Sequence, residues 1–239
     1  MITVNRARTA MSFSLMLLTL PLLAYTVENR LEATFWAELT PVPMPGPVPL
    51  PGESAAAEDS LQIESLSLPA QHVLEEARWV YSGIIYGWRF RYVPENKARG
   101  YDEEFETEAV HELDWGDTGL TIRQTWENDG RFFAKIDYAL NRDQTARREA
   151  WGSGSTLMGQ GRGSSPYLGG HGERKNAVLD ALRMAVREYL RARHHTPPRE
   201  VTGRIVLVDP PLIGISSGAY TSTVRVRFQI DSFRKYDVF

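Results

Sequence analysis

The stretch that decides the fold covers residues 120–138 and reads LTIRQTWENDGRFFAKIDY. Asn128-Asp129-Gly130 near its centre is a turn signal, because glycine adopts a positive φ without steric cost. Apolar and polar residues alternate on both sides of this turn, which is typical of strands that bury one face. We therefore predict an antiparallel hairpin. Its first strand is expected to present Leu120, Ile122 and Trp126 on one face, and its second strand Phe132, Ala134, Ile136 and Tyr138.

Two helical patterns flank the hairpin. Pro69 precedes an apolar period that predicts a first helix over about residues 70–86. A second period predicts the longest helix over about residues 173–193. Small residues one turn apart on this helix allow it to approach a sheet closely: Ala177, Ala181 and Ala185.

Four further strands are predicted beside the hairpin. The alternation covers residues 88–92, 103–115 and 224–230, whereas residues 205–208 are uniformly apolar, as in a central strand. The element order is therefore α-β-β-β-β-α-β-β. This order predicts an α+β fold with two helices packed on one face of a mostly antiparallel sheet.

A polar, glycine-rich segment at residues 151–172 precedes the second helix. Gly159, Gly161 and Gly163 suggest a phosphate-binding loop, but a dinucleotide fingerprint requires a strand directly before the glycines and a helix opening at the last one. About nine residues separate Gly163 from the predicted helix. We therefore interpret the segment as a flexible surface loop.

The N-terminal residues predict export. Arg6 and Arg8 precede an uncharged run over residues 10–26, which is typical of a secretion signal or a membrane anchor, and both alternatives stay open. Proline then occupies every second position over residues 41–51, which predicts an extended spacer. We divide the chain into a signal or anchor (1–26), a linker (27–68) and one α+β domain (69–239). The expected location is the periplasm or the outer face of the cytoplasmic membrane.

Composition excludes several kinds of site. The chain has no cysteine, which rules out disulfides, thiolate catalysis, zinc sites built on cysteine and lipid attachment through a cysteine. Its 27 Lys and Arg residues nearly balance 30 Asp and Glu residues, so charge gives no reason to expect nucleic-acid binding. No cofactor, metal site or catalytic residue is predicted.

Charge is nevertheless segregated along the chain. Arg183, Arg187 and Arg191 recur at four-residue spacing, where like charges repel each other. This arginine stripe is either a solvated helix face or a surface for an anionic partner. An acidic counterpart, the glutamate row, lies in the strand predicted over residues 103–115 and consists of Glu104, Glu106 and Glu108. The two sets are our candidate binding residues, and their complementarity allows a homo-oligomer.

An aromatic cluster lies where the first helix meets its strand. Such clusters can bind glycans or peptides, but the helix and strand periods favour burial in the core. Its members are Tyr81, Tyr86, Trp88, Phe90 and Tyr92.

The alanine stripe Ala177, Ala181 and Ala185, followed by proline and two strands, resembles a small exported α+β module. This module occurs in flagellar T-ring assembly proteins and related envelope lipoproteins. The resemblance covers residues 173–231 and implies a non-catalytic role in envelope assembly. The chain departs from the lipoprotein members because it lacks their cysteine.

Together these patterns predict a non-enzymatic exported envelope protein that binds a protein or polymer partner outside the cytoplasm. Membrane contact is expected through the N-terminal segment if that segment is retained. One alternative is a binder of an envelope glycan or an anionic lipid. A second alternative is a hydrolase that uses loop serines or carboxylates.

Overall fold

The computed structural model describes residues 29–40, 58–152 and 156–236. These residues form three α-helices and nine β-strands. The helices are α1 (Glu58–Ile85), α2 (Arg142–Gly152) and α3 (Glu173–Arg191). The strands are β1 (Arg30–Glu38), β2 (Trp88–Val93), β3 (Glu104–Ala109), β4 (Leu120–Asn128), β5 (Arg131–Ala139), β6 (Leu157–Pro166), β7 (Glu200–Leu207), β8 (Leu212–Ser216) and β9 (Ala219–Arg234).

The strands form two antiparallel sheets. A three-stranded sheet has the order β1-β5-β4, and a six-stranded sheet has the order β3-β2-β7-β9-β6 with β8 paired to β9. The α+β class with antiparallel sheets is thus confirmed, and β7 is central, as the apolar run at residues 205–208 predicts. Two parts of the prediction are wrong: the described residues contain a second sheet and a third helix.

The two long helices pack on the same face of the six-stranded sheet. Trp79 of α1 contacts Trp88 of β2, with ring centroids 5.2 Å apart. The strand register places Trp88, Ile205 and Phe228 side by side across β2, β7 and β9. Phe228 in turn contacts Tyr189 of α3 at 4.7 Å. Both helices therefore share one core with this sheet.

Helix α1 also covers the inner face of the three-stranded sheet. Tyr81 packs edge-on against Phe35 of β1 at 5.7 Å, and its hydroxyl donates to the carbonyl of Ile136 in β5 at 2.5 Å. Since α1 packs on both sheets, it joins them. The aromatic cluster belongs to this core as predicted: Tyr81, Trp88, Phe90 and Tyr92 are buried and Tyr86 is half-buried.

Strand β6 occupies the segment predicted as a flexible loop. A Cβ on Gly161 would lie 2.0 Å from the carbonyl oxygen of Ala181 in α3. A Cβ on Gly163 would lie 2.2 Å from the amide nitrogen of the same Ala181, so only glycine fits at either position. The loop prediction is wrong because glycines at every second position form a flat strand face. The alanine stripe of α3 packs against this face, as its small residues predict.

The linker assigned to residues 27–68 contains two ordered elements. β1 pairs along its whole length with β5, and its alternating Leu31 and Phe35 are buried. α1 begins at Glu58 and contains Pro69, so this proline does not mark the helix start.

Two other boundaries differ from the prediction. The strand expected over residues 103–115 ends at Ala109, and α2 was not predicted.

The predicted signal or anchor (1–26) and the proline-rich stretch (41–51) lie outside the described residues. Among the helices of the described residues, none is long and apolar enough to cross a membrane.

Candidate functional site

The glutamate row lies on β3, opposite two arginines of β2. Arg91 lies 3.0 Å from Glu104 and 3.5 Å from Glu106, and Arg89 lies 4.0 Å from Glu108. Hydrogen bonds to Glu200 of β7 and to Glu104 raise the pKa of Arg91. We call these glutamates and the two arginines of β2 the charged face. It is neutralised by ion pairs within the chain.

The arginine stripe on α3 has acidic partners of its own. Arg183 pairs with Asp180 and with Glu103, the residue directly before β3. Arg187 reaches the same Glu103 carboxylate at 3.3 Å, and Arg191 lies 3.4 Å from Glu188. The structure therefore brings two of the arginines to Glu103 and none of them to the glutamate row within one chain.

A β-bulge in β4 creates a surface that the sequence pattern did not indicate. Ile122 pairs with Ile136, but the next paired residues are Gln124 and Lys135, so Arg123 is an extra residue. One extra residue reverses the alternation beyond it. Trp126 therefore lies on the opposite face from Ile122, and the prediction that these two residues share a face is wrong.

This bulge completes a row of three aromatic side chains on the outer face of the three-stranded sheet. The register places Trp36 of β1 opposite Phe133 of β5, and Phe133 opposite Trp126 of β4. The Trp126 and Phe133 rings stack at 5.4 Å with an interplanar angle of 4°. We call these three residues the aromatic row. Trp126 is 36% exposed, and Trp36 and Phe133 are half-buried.

Charged side chains fix the strands that carry the aromatic row. Asp137 of β5 is 3% exposed and accepts hydrogen bonds from Arg30 at 3.1 Å and from Arg123 at 2.7 Å. These arginines belong to β1 and to the bulge of β4, so one carboxylate ties the three strands together. Arg131 lies over the Trp36 ring at 4.4 Å.

A buried ion pair lies behind Trp36. Arg174 of α3 is 2% exposed and donates to Glu76 of α1 through Nε at 2.7 Å and Nη2 at 3.1 Å. Its guanidinium lies 3.9 Å from the Trp36 ring and 5.6 Å from the Tyr220 ring. Tyr220 in turn donates to Glu38 at 2.9 Å. Arg174 Nη1 has no hydrogen-bond partner among the described residues.

Two stacked histidines adjoin the ion pair. The rings of His72 and His171 lie 4.3 Å apart and nearly parallel, and His171 Nε2 is 3.5 Å from a Glu76 oxygen. Burial, together with the nearby Arg174 and His72, lowers the pKa of His171 to about 3, and burial also lowers the pKa of His72. Burial raises the pKa of Glu76, against the opposing effect of Arg174. His171 is therefore neutral at physiological pH.

Two clefts share this ion pair. One has a volume of about 380 Å³ and lies between β1 and β8, with Trp36, Arg174 and Ile213 among its lining residues. We call it the Arg174 cleft. The other, of about 230 Å³, is lined by His72, His171 and Arg174. Within the described parts of the chain, no three His, Asp or Glu side chains are arranged to hold a metal ion.

None of the aromatic-row or ion-pair residues was among the sequence candidates. The sequence does contain an indication for Trp36. Apolar residues at every second position predict one buried strand face, and Trp36 falls on the opposite face; the apolar residues are Leu31, Ala33, Phe35 and Ala37. The face of Trp126 depends on the bulge, and the Glu76–Arg174 pair joins residues 98 positions apart. Neither feature has a local sequence pattern.

Comparison with known proteins gives a relative without a described function. It is an uncharacterized protein of Treponema pallidum (strain Nichols), 26% identical over 183 residues, which are 74% of this chain and 75% of that protein. No solved structure matches the chain. One family model spans residues 23–236, and its description names no function.

Proposed function

The chain belongs to the family whose model spans residues 23–236, and we propose that it is a non-enzymatic exported protein that binds an envelope glycan through the aromatic row. The observation that carries the proposal is the alignment of Trp36, Phe133 and Trp126 across three strands. Export and the envelope location rest on the charged and apolar N-terminal residues. The envelope assembly role rests on the resemblance of residues 173–231.

The geometry of the aromatic row suits an extended polymer. Neighbouring strands lie about 4.8 Å apart, so three aligned rings extend over about 10 Å. Trp126 is the ring best placed to contact a sugar, because it is 36% exposed, whereas Phe133 stacks against it and Trp36 carries the Arg131 and Arg174 guanidiniums over its ring. The bulge at Arg123 and the clamp at Asp137 hold the rings in register before any ligand arrives.

The charged face and the arginine stripe support the proposal less well. Their side chains already have partners within the chain, so an anionic or cationic ligand would compete with existing ion pairs. An anionic lipid or acidic polymer at Arg183, Arg187 and Arg191 remains a prediction that a charge reversal can test.

A second candidate is a protein partner that adds a strand to β4. Every residue of β4 from Thr121 to Asn128 is exposed, and β4 is an edge strand of its sheet. An open edge strand offers backbone donors and acceptors to an extended segment of another chain. Such a partner would bind along the backbone rather than on the aromatic rings.

The test is co-sedimentation of the purified full chain with isolated cell-wall sacculi, insoluble chitin and insoluble cellulose. We expect Trp126→Ala to weaken binding to the polymer that binds best by about tenfold, since a lost ring contact costs about 1.4 kcal/mol. Trp115→Ala is the matched control, because Trp115 is 63% exposed and lies outside the aromatic row.

Two results would contradict the proposal. One is failure of the wild-type chain to bind any of the three polymers. The other is equal loss of binding in Trp126→Ala and Trp115→Ala, which would show a nonspecific effect of surface tryptophans.

A further inference from the structure

The Arg174 cleft lies between two open strand edges. Within the described part of the chain, β1 pairs only with β5, and β8 pairs only with β9. The residues that line the cleft are consecutive on each side: residues 34–36 belong to β1, and residues 210–214 lead into β8. Consecutive lining residues place the backbones of both strands at the cleft.

The open edge of β1 carries the backbone groups of its even-numbered residues. The Leu39 amide donates to the Gly130 carbonyl, so the backbone of Leu39 faces β5. Along an antiparallel pair without a bulge, the residues that bond to the neighbouring strand alternate, so the odd-numbered residues of β1 all face β5. The N–H and C=O groups of Thr34 and Trp36 therefore point to the open edge.

The open edge of β8 is assigned in the same way. The turn Ser217-Gly218, with positive φ at both residues, joins β8 to β9. In a hairpin with such a two-residue turn, the flanking residues form a hydrogen-bonded pair, which here is Ser216 with Ala219. By alternation the backbone of Gly214 faces β9 as well. The N–H and C=O groups of Ile213 therefore point to the open edge.

The two open edges do not match each other directly. Thr34 and Trp36 place their side chains on the outer face of their sheet, whereas Ile213 lies on the inner face, opposite the buried Ser222. Directly opposed residues of neighbouring strands share a face. One extended strand between β1 and β8 resolves the mismatch, because its successive residues turn to opposite edges and to opposite faces.

The hydrogen-bonding groups of the two walls define the class of ligand. An extended polypeptide carries an N–H and a C=O at alternate residues on each of its edges, so it can pair with both walls at once. The proline-rich stretch of this chain does not fit. Proline at every second position over residues 41–51 removes all N–H groups from one edge of that stretch.

We propose that the Arg174 cleft takes an extended segment of a partner protein as an added strand between β1 and β8. Alternate residues of the segment exchange backbone hydrogen bonds with Thr34 and Trp36, and the residues between them bond to Ile213. Residues that bond to Ile213 point inward beside its side chain, so they are apolar. This site is separate from the exposed ring of Trp126, and the inference does not depend on glycan binding.

The test uses a soluble heptapeptide in which threonine and valine alternate between two terminal lysines. It is titrated into the isotope-labelled full chain and followed by NMR. Two further peptides have the same sequence, with N-methyl groups on the valine amides in one and on the threonine amides in the other. We expect the unmodified peptide to bind with a dissociation constant at or below about 1 mM. Each N-methylated peptide should bind at least about tenfold more weakly, because it loses its donors to one wall.

Three proline variants locate the site. Thr34→Pro and Ile213→Pro each remove a donor from one wall and keep the pairing with β5 or β9, since an edge strand tolerates proline where the N–H points outward. Thr125→Pro is the matched control: Asn128 pairs with Arg131 beside a two-residue turn, so Thr125 faces the open edge of β4. Both cleft variants should weaken binding at least about tenfold, and the control should bind as the wild type does.

Hydrogen exchange on the wild-type chain locates the strand even if the proline variants unfold. The peptide should slow exchange at the amides of Thr34, Trp36 and Ile213 and leave Thr125 unchanged. Absence of binding at 1 mM would overturn the proposal, and so would loss of binding in only one N-methylated peptide, since a strand on a single open edge bonds through one edge only. Loss of binding in Thr125→Pro alone would assign the peptide to β4. Dimerisation of the chain that the peptide disrupts would make a second copy the occupant and overturn the assignment to a partner protein.

Discussion

The outer face of the three-stranded sheet and the charged face of the six-stranded sheet differ in how far the chain satisfies its own surface groups. On the charged face, Arg91 alone pairs with Glu104, Glu106 and Glu200. On the outer face, the Trp126 and Phe133 rings stack on each other and leave Trp126 partly exposed. The charged face therefore has fewer unpaired groups available to a ligand than the outer face of the three-stranded sheet.

The difference arises from strand pairing. Antiparallel neighbours place residues directly opposite each other, so a strand of alternating glutamates beside a strand of alternating arginines neutralises itself. Aromatic side chains in the same arrangement stack on each other, and here Trp126 stays 36% exposed. A row of like charges in one strand is therefore a weak indication of a binding site until its neighbouring strand is known.

The largest expected effect concerns the ion pair behind the aromatic row. Glu76→Ala should lower the free energy of unfolding by about 3–5 kcal/mol, because it leaves the Arg174 charge buried without a counterion. Glu104→Ala, on the charged face, should cost about 0–1 kcal/mol. Urea unfolding of both variants measures the contrast, and similar costs at the two positions would remove the distinction between the faces.

The pH dependence of stability should be the next largest effect. Because the folded-state pKa of His171 is lowered to about 3, the stability that neutral His171 contributes is fully present above pH 6.5 and is lost as pH falls toward 3. Between about pH 7.5 and pH 5 this loss is of order 2 kcal/mol.

His171→Gln isolates that effect. Glu76 has a raised pKa and so contributes a pH dependence of the opposite sign, while Arg174 and His72 also face the imidazole. Subtracting the free energy of unfolding of His171→Gln from that of the wild type at each pH removes the contribution that the other groups make to both proteins. Urea unfolding at a series of pH values should give a shallower slope for the variant, and parallel slopes would contradict a buried neutral His171.

The sequence predicted the parts of this molecule that depend on local periodicity. The hairpin follows from alternation, the α3 alanine stripe from the helical period, and the central β7 from a uniformly apolar run. It did not predict β6, because glycines are strand breakers unless a helix packs directly on them. The candidate site was missed for a related reason: the aromatic row depends on the one-residue bulge at Arg123, and the ion pair depends on the docking of α3 against α1.

The bulge itself offers a sharper test of the aromatic row. Deleting Arg123 restores regular alternation and moves Trp126 to the face of Leu120 and Ile122. Glycan binding should fall by about tenfold, as in Trp126→Ala. Arg123→Ala removes the hydrogen bond to Asp137 but keeps the extra residue, so it should retain most binding. Equal binding by the deletion and the wild type would show that the face of Trp126 does not matter.

The smallest expected effect is on the charged face. Replacing Glu104, Glu106 and Glu108 together by glutamine removes three exposed partners of Arg89 and Arg91, each worth about 0–1 kcal/mol, and the arginines remain solvated. A separate variant tests the arginine stripe on α3.

Charge reversal of Arg183, Arg187 and Arg191 should keep the fold but leave Glu103 facing new carboxylates. If neither the charged face nor the arginine stripe binds a partner, both variants should sediment with the glycan as the wild type does, at low and at high salt. Loss of sedimentation in the arginine variant, reproduced in the wild type by added salt, would instead assign the ligand to the arginine stripe, because salt screens exposed charge contacts and leaves ring stacking intact.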